Sequence, residues 1–302
     1  MKLLFIPDVH LQEYSPRSRK DNYPSVILDK LNWIVNYANS IDATTYFLGD
    51  LFNATNLPMI YFYRVVEVFK KFNKVPHIII GNHDMLHLKE ELMSRTPLGL
   101  LEQIGLINYF GSNHGGSIVP DVEIRGFHYM EPVQKTTSNA PVRICMAHAF
   151  YEDNFATEHN LHIKDCLDLN YTHYILGHDH TPYEDVVNDS YTVIRPGSLS
   201  RGTANDKQLT RNTINIIEFD TDTKEFKKVP VPCQEAHEVF KDTVFLRKEE
   251  TKLDTAKVLD QLVFTSNDSI YDVLDRAEQT DEIKKIVEEY LQAAGIFREN
   301  LK

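Results

Sequence analysis

Short apolar runs alternate with amphipathic stretches through the first two-thirds of the chain. Lys2 is followed by four consecutive apolar residues, Leu3 to Ile6, and reads as a buried strand rather than a half-exposed one. Residues 22–40 read as a helix, with Ile27, Leu31, Ile34, Val35 and Ala38 on one face and Pro24 near the start. A strand over 44–48 follows. A second helix then carries Phe62, Val65, Val66, Phe69 and Phe72 on its apolar face, and a strand runs over 76–80. Thr96-Pro97 opens a third helix and Gly105 closes it.

Beyond residue 118 strands dominate, at 122–127, 142–147, 172–176, 191–194, 213–219 and 225–231. Helices between the early strands and hairpins between the later ones predict an α/β fold: two mixed sheets packed as a sandwich, with helices outside. The character changes at Pro230-Val231-Pro232. The chain then turns acidic and afterwards helical, with amphipathic stretches over 253–263 and 270–294; Ile283, Ile286, Val287, Tyr290 and Ala294 fall at helical spacing. The expected organisation is one domain over 1–232 and a small α-rich region over 233–302.

Composition changes this picture little. At 302 residues and 42% hydrophobic, the chain can bury one large core and a small appendage. No apolar run is long enough to span a membrane, and the apolar run after Lys2 is too short for a signal peptide, so a cytoplasmic, membrane-free protein is expected. Three widely spaced cysteines (Cys145, Cys166, Cys233) give neither a disulfide framework nor a zinc pattern. The net charge of -12 excludes a generic basic nucleic-acid binder. About half of that excess lies after Cys233, which leaves room for a local basic strip elsewhere.

The chemistry sits in five segments, each at the end of an apolar run: Asp8-Val9-His10, Gly49-Asp50, Gly81-Asn82-His83-Asp84, His148 and Gly177-His178-Asp179-His180. Singly, each is a common turn or cap sequence. Together they place carboxylate, imidazole and amide oxygen donors on one rim of the sheets, where ligands bind in α/β folds. A set without thiolate suits Mn²⁺, Fe²⁺ or Zn²⁺. Two such cations need a shared anion, and Asp50, alone in its tight turn, is the natural bridge. Asp8 and His10 can face one cation only if the strand ends or bends between them. His83 is left over as a general acid or transition-state donor, with Asp84 expected to hold its tautomer. The remaining histidines (His77, His87, His114, His128, His159, His162, His173, His237) are expected to be structural or superficial.

This ordered set resembles the calcineurin-like metallophosphoesterases, over roughly residues 1–231. The resemblance implies a double β-sandwich and two divalent metal ions, with Mn²⁺ foremost and Mg²⁺, Fe²⁺ or Zn²⁺ as alternatives. It gives one metal Asp8, His10, Asp50 and His180, and the other Asp50, Asn82, His148 and His178. His83 becomes the catalytic histidine, and a metal-bridging hydroxide attacks phosphorus in line. Within the superfamily, Asp8-Val9-His10-Leu11, Gly49-Asp50-Leu51-Phe52 and the segment Arg195-Pro196-Gly197-Ser198-Leu199-Ser200-Arg201 are similar to the SbcD-type nuclease subunit of DNA double-strand-break repair complexes. One departure is Asn53, where that family often has a histidine that helps place DNA.

The expected substrate is therefore DNA. Its backbone would be met by Arg17, Arg19 and Lys20 after the first motif and by Arg201, Lys207 and Arg211 around the Pro-Gly-Ser loop. The expected partner is an SbcC-type coiled-coil ATPase, docked through the C-terminal helices. Homodimerisation is typical of the family and stays open. The short 233–302 region implies a reduced or absent cap, as in a compact bacteriophage version. A stand-alone phosphodiesterase or phosphatase acting on nucleotides or phosphoproteins is the alternative.

Overall fold

The computed structural model describes residues 1–112, 117–119, 121–151 and 160–245. The amphipathic stretches at 253–263 and 270–294, and His114 and His159, lie outside them. Backbone contacts divide the chain after Lys241, and every element named below lies in Met1–Lys241.

The strands are β1 (Lys2–Ile6), β2 (Thr44–Phe47), β3 (His77–Ile78), β4 (Asn108–Tyr109), β5 (Ser117–Val119), β6 (Val122–Phe127), β7 (Val142–His148), β8 (Phe150–Tyr151), β9 (Asn160–Leu161), β10 (His173–Gly177), β11 (Val186–Val187), β12 (Thr192–Ile194), β13 (Asn215–Asp220) and β14 (Glu225–Pro230). The helices are α1 (Tyr23–Ser40), α2 (Met59–Phe69), α3 (Pro97–Gln103), α4 (Cys166–Leu169), α5 (Asp206–Leu209) and α6 (Ala236–Val239).

Two sheets result, ordered β14-β13-β1-β2-β3-β4 and β11-β12-β10-β7-β6-β5, each mixed. The expected two-sheet α/β sandwich is the observed fold. Its central strands β1, β7 and β10 are buried on both faces, which explains their apolar runs. In β1, Leu3 and Phe5 pack between the sheets with Tyr46, Leu48, Ile144, Met146 and Ile175. Leu4 and Ile6 point the other way, onto α1 and α2 through Ile27, Leu31, Ile34, Val65 and Phe69. On the far side of the second sheet, Cys145, Ala147, Tyr174 and Leu176 cover a third apolar layer with Cys166 and Tyr191. The thiols are free, Cys145 and Cys166 being buried.

Helix ends follow local chemistry. Asn22 caps α1 by accepting from Ser25 N, with Pro24 inside the first turn. Thr96 caps α3 by accepting from Gly99 N at 3.1 Å. Residues 233–241, grouped with the C-terminal region by composition, pack into this first unit. Lys20 N donates to Val239 O (2.9 Å), Arg19 pairs with Phe240 across a β-bridge, and a capping box closes the start of α6.

The topology also explains why the motifs meet. β1, β2 and β3 are parallel neighbours in one sheet, and β7 and β10 are parallel neighbours in the other. All five therefore release their C-terminal ends at one rim of the sandwich.

Candidate metal centre

Two groups of donors converge at that rim. Asp8, His10, Asp50 and His180 offer ligand atoms within 4.8 Å of one another, and so do Asp50, His148 and His178. Asp50 belongs to both. Its Oδ2 lies 3.7 Å from His10 Nε2 and 3.4 Å from His148 Nε2, and Oδ1 accepts from His83 N at 2.9 Å. Asn82 Oδ1 joins the second group, 3.2 Å from His148 Nε2. His10 Nε2 and His180 Nε2 are 2.8 Å apart, two imidazole nitrogens turned on the same point.

Backbone strain aims these side chains. His10, Asp50 and His178 all adopt left-handed φ, at 53°, 47° and 85°. Residues with a Cβ occupy that region at a cost of order 1 kcal/mol or more, and such strain clusters at functional sites. The bend at His10 is what lets Asp8 and His10 face one point. Glycines supply the remaining closeness. Gly49 has φ +93°, and a Cβ there would stand 2.4 Å from His148 Nδ1; a Cβ on Gly81 would stand 2.1 Å from Asp50 Oδ1.

Hydrogen bonds fix the tautomers. His148 Nδ1–H donates to Leu48 O at 2.7 Å, which turns Nε2 toward Asp50. His83 Nδ1–H donates to Asn53 O at 2.8 Å, which fixes the orientation of that ring. Asp84 does not perform the task expected of it. It is buried and accepts from the backbone N–H groups of Leu51, Phe52 and Gly81, so it ties the Asp50 and Asn82 turns together instead of orienting His83.

The electrostatics describe a pocket shaped for cations. Burial pushes Asp8 up to about 8, opposed by His148 and helped by Asp50. Burial would also raise Asp50, but His148 and His10 outweigh it and hold that carboxyl below the usual range. Burial opposes charge on His148, yet Asp50 and Asp8 raise it to about 9. Burial keeps His10 and His178 neutral, each lowered to about 3, and lowers His180. Asp8 Oδ1, Asp50 Oδ2 and His10 Nδ1 are buried without any hydrogen-bond partner. Orphaned carboxyl oxygens converging with imidazole nitrogens are a donor set that fits divalent cations.

The sequence profile of the calcineurin-like phosphoesterases matches residues 1–182, more than half of the chain. The chain belongs to that family. Two solved structures are similar to this calcineurin-like phosphoesterase. One is an archaeal phosphodiesterase (16% identity, TM-score 0.43, covering 76% of this chain and 100% of the other). The other is a Thermus thermophilus protein (12% identity, TM-score 0.45, covering 76% and 99%). Curated proteins give no match to the sequence.

The basic residues need correction. Arg19, Arg201 and Arg211 are buried, not offered to a phosphate backbone. Arg19 pairs with Asp21 at 2.6 Å and donates to Arg201 O. Arg201 donates to Arg211 O and Gln234 O, and Arg211 to Ser198 O, Pro196 O and Thr213 O. Within the Pro-Gly-Ser segment, Pro196 O and Ser198 O are satisfied by Arg211 and Arg201 O by Arg19, so these guanidiniums are internal donors to backbone carbonyls. The loop in turn holds the centre, since Leu199 N donates to Asp8 O and Ser198 N to His180 O. Arg17, Lys20 and Lys207 are exposed. Arg17 lines a cavity of about 390 Å³ that opens beside His10 and His180 and is also lined by Tyr14, Asn53, Ser200 and Thr203.

Sequence reasoning missed the aromatic wall of the second cluster. The Phe150 ring is 4.1 Å from His178, and Tyr129 lies 5.3 Å from the same ring. Neither residue belongs to a motif; only the placement of Phe150 two residues after His148 hinted at it.

Proposed function

We propose that this chain is a metal-dependent phosphodiesterase that hydrolyses DNA phosphodiester bonds, as the nuclease subunit of an SbcCD-like repair complex. One observation carries the phosphoesterase chemistry: the buried Asp50 Oδ2, without a hydrogen bond and common to two donor groups. Divalent cations held by Asp8, His10, Asp50 and His180 on one side and Asp50, Asn82, His148 and His178 on the other would supply Lewis acidity toward the phosphoryl oxygens and activate water. The protein's own contribution is orientation and proton handling. His83, held through Nδ1 by Asn53 O, presents Nε2 to a phosphoryl or leaving oxygen. Asp50 Oδ1 accepts from His83 N, so the shared carboxylate and the proton donor are fixed to each other.

Support for DNA comes from the Asp8–Leu11, Gly49–Phe52 and Arg195–Arg201 segments and from the exposed Arg17 beside the His10 cavity. A coiled-coil ATPase partner rests on the 270–294 stretch of the sequence alone. The burial of Arg19, Arg201 and Arg211, with the net charge of -12, favours the second reading, a stand-alone enzyme acting on nucleotides or other small phosphoesters. Purified protein with Mn²⁺ is assayed on linear DNA, a cyclic nucleotide and a phosphomonoester, beside His83→Gln. DNA cleavage abolished by that change upholds the nuclease. Cleavage of small esters alone replaces it with the second reading. Silence on all three, with and without an added ATPase partner, removes both.

A further inference from the structure

Arg195 is a cation that the protein leaves unanswered. It follows β12, which pairs in parallel with β10 so that Ile194 is level with Ile175. Arg195 therefore leaves the sheet at the rim that carries His178 and His180. Its guanidinium lies 4.0 Å from the Tyr183 ring centre and 5.3 Å from that of Tyr151. Lys207 Nζ lies 4.2 Å from the same Tyr183 ring, so the two charged heads stand no more than about 8 Å apart.

Among the described residues, neither head makes a hydrogen bond or an ion pair, and Arg195 Nε is buried without an acceptor. The contrast with Arg19, Arg201 and Arg211, whose donors are spent inside the protein, is plain. The nearby carboxylate of Asp185 is taken by Lys228 at 3.0 Å. Aromatic faces hold a guanidinium flat without neutralising it. A buried guanidinium N–H with no acceptor is costly, and its natural complement is a phosphate that accepts from the fork in pairs. Tyr183 is three residues past His180, so chain reach keeps their Cα atoms within about 11 Å of each other. Gln208 of α5 donates to His180 O at 2.8 Å and anchors the Lys207 side to the same turn.

We propose that Arg195, with Lys207 beside the same Tyr183 ring, binds a phosphate of the substrate strand next to the one being cut. This subsite rests on the reading of the chain as a DNA phosphodiesterase. It fixes which bond of the strand is presented and sets KM on polymeric substrates, while a diester with a single phosphate cannot reach it.

The test measures binding of a fluorescent single-stranded oligonucleotide across a salt series in the His83→Gln background, and kinetics in the otherwise native protein with Mn²⁺. Arg195→Gln weakens oligonucleotide binding roughly tenfold and lowers the log-log salt slope by about 0.7, the value of one single-strand phosphate contact. In kinetics, KM rises more than kcat falls. The loss on DNA exceeds the loss on bis(p-nitrophenyl) phosphate by at least tenfold. Arg195→Lys recovers part of the affinity, and Lys207→Ala, at an exposed position, shows the same pattern more weakly. Unchanged affinity and slope in both variants, with a parent that binds and cuts DNA, overturn the subsite alone. Equal losses on both substrates also overturn it, because they report damage to the centre. A parent that neither binds nor cuts DNA overturns the nuclease reading and the subsite together.

Discussion

Asp50→Asn isolates the shared carboxylate. The change is nearly isosteric at a side chain with no exposed surface. An asparagine oxygen can still accept from His83 N, as Asp50 Oδ1 does at 2.9 Å. The amide nitrogen would take the place of Oδ2, between His10 Nε2 at 3.7 Å and His148 Nε2 at 3.4 Å, and can donate to either. The metal-free fold should therefore survive. Metal binding should not. Two unit charges 4 Å apart interact with about 4 kcal/mol at an effective dielectric near 20. Two divalent cations about 3.5–4 Å apart then repel by roughly 16 kcal/mol, and one carboxylate near both offsets an amount of the same size. Even about 3 kcal/mol of uncompensated repulsion is roughly 100-fold in affinity. Titration calorimetry and metal analysis after gel filtration should show two Mn²⁺ per chain in the parent and one in Asp50→Asn. The exchange-coupled Mn²⁺ resonance signal should vanish in parallel. Two ions retained by the variant, with affinity within a few-fold and the coupled signal intact, would refute the bridging role.

Gly49→Ala combines left-handed backbone strain of about 1–2 kcal/mol with a Cβ 2.4 Å from His148 Nδ1. Thermal melts should fall and Mn²⁺ binding should weaken, and a parent-like affinity would show that the His148–Leu48 bond does not matter. Asp84→Ala leaves the N–H groups of Leu51, Phe52 and Gly81 without their acceptor. The expected loss is about 3 kcal/mol of unfolding free energy, read by denaturant titration, and a change under 0.5 kcal/mol would contradict it. The metal-free protein should lose stability on the alkaline side. Asp8, raised to about 8, and His148, raised to about 9, each favour the folded state while protonated, and that contribution is lost as pH climbs through those values. His10 and His178, lowered to about 3, act oppositely and destabilise as pH falls below the ordinary histidine range. Melting temperatures in chelator should therefore drop between pH 6.5 and 9, and Mn²⁺ should flatten the drop; a flat chelator curve would contradict the buried-charge picture.

Much of the fold was legible because its strands show either buried apolar runs or apolar/polar alternation. The expected strand at Lys2–Ile6, with its apolar run Leu3 to Ile6, coincides with β1, and 122–127, where Val122 and Ile124 alternate with Glu123 and Arg125, coincides with β6. The order of the ligand motifs was legible for a related reason: parallel strands put every C-terminal end on one rim, so motifs far apart in sequence converge. What escaped was set by tertiary acceptors. Nothing local in Arg19, Arg201 or Arg211 says that backbone carbonyls will consume their donors, and nothing in Asn82-His83-Asp84 says that Asp84 folds back on Leu51 and Phe52. The left-handed φ of His10 and His178 is equally silent, since neither is a residue type that announces a turn. The strand expected over 76–80 keeps a ladder only at His77–Ile78, because the chain must depart early to deliver Gly81 and Asn82.

The donors come from two sheets, and this governs how the centre can be disturbed. Asp8, His10, Asp50 and Asn82 follow strands of the first sheet, while His148, His178 and His180 follow strands of the second. Hydrogen bonds that join the sheets at the rim include His148 to Leu48 O, His178 N to Asp8 Oδ2, Leu199 N to Asp8 O and Tyr129 N to Ile80 O. Below that rim, Leu48, Ile79, Met146 and Ile175 fill the space between the sheets. The separation of the two half-sites is thus a property of core packing, which is close to incompressible and resists sub-ångström adjustment. Cations bound at the rim link the sheets and favour the folded state by mass action. Metal affinity and core packing are therefore two measures of one quantity, the fit of the first sheet on the second.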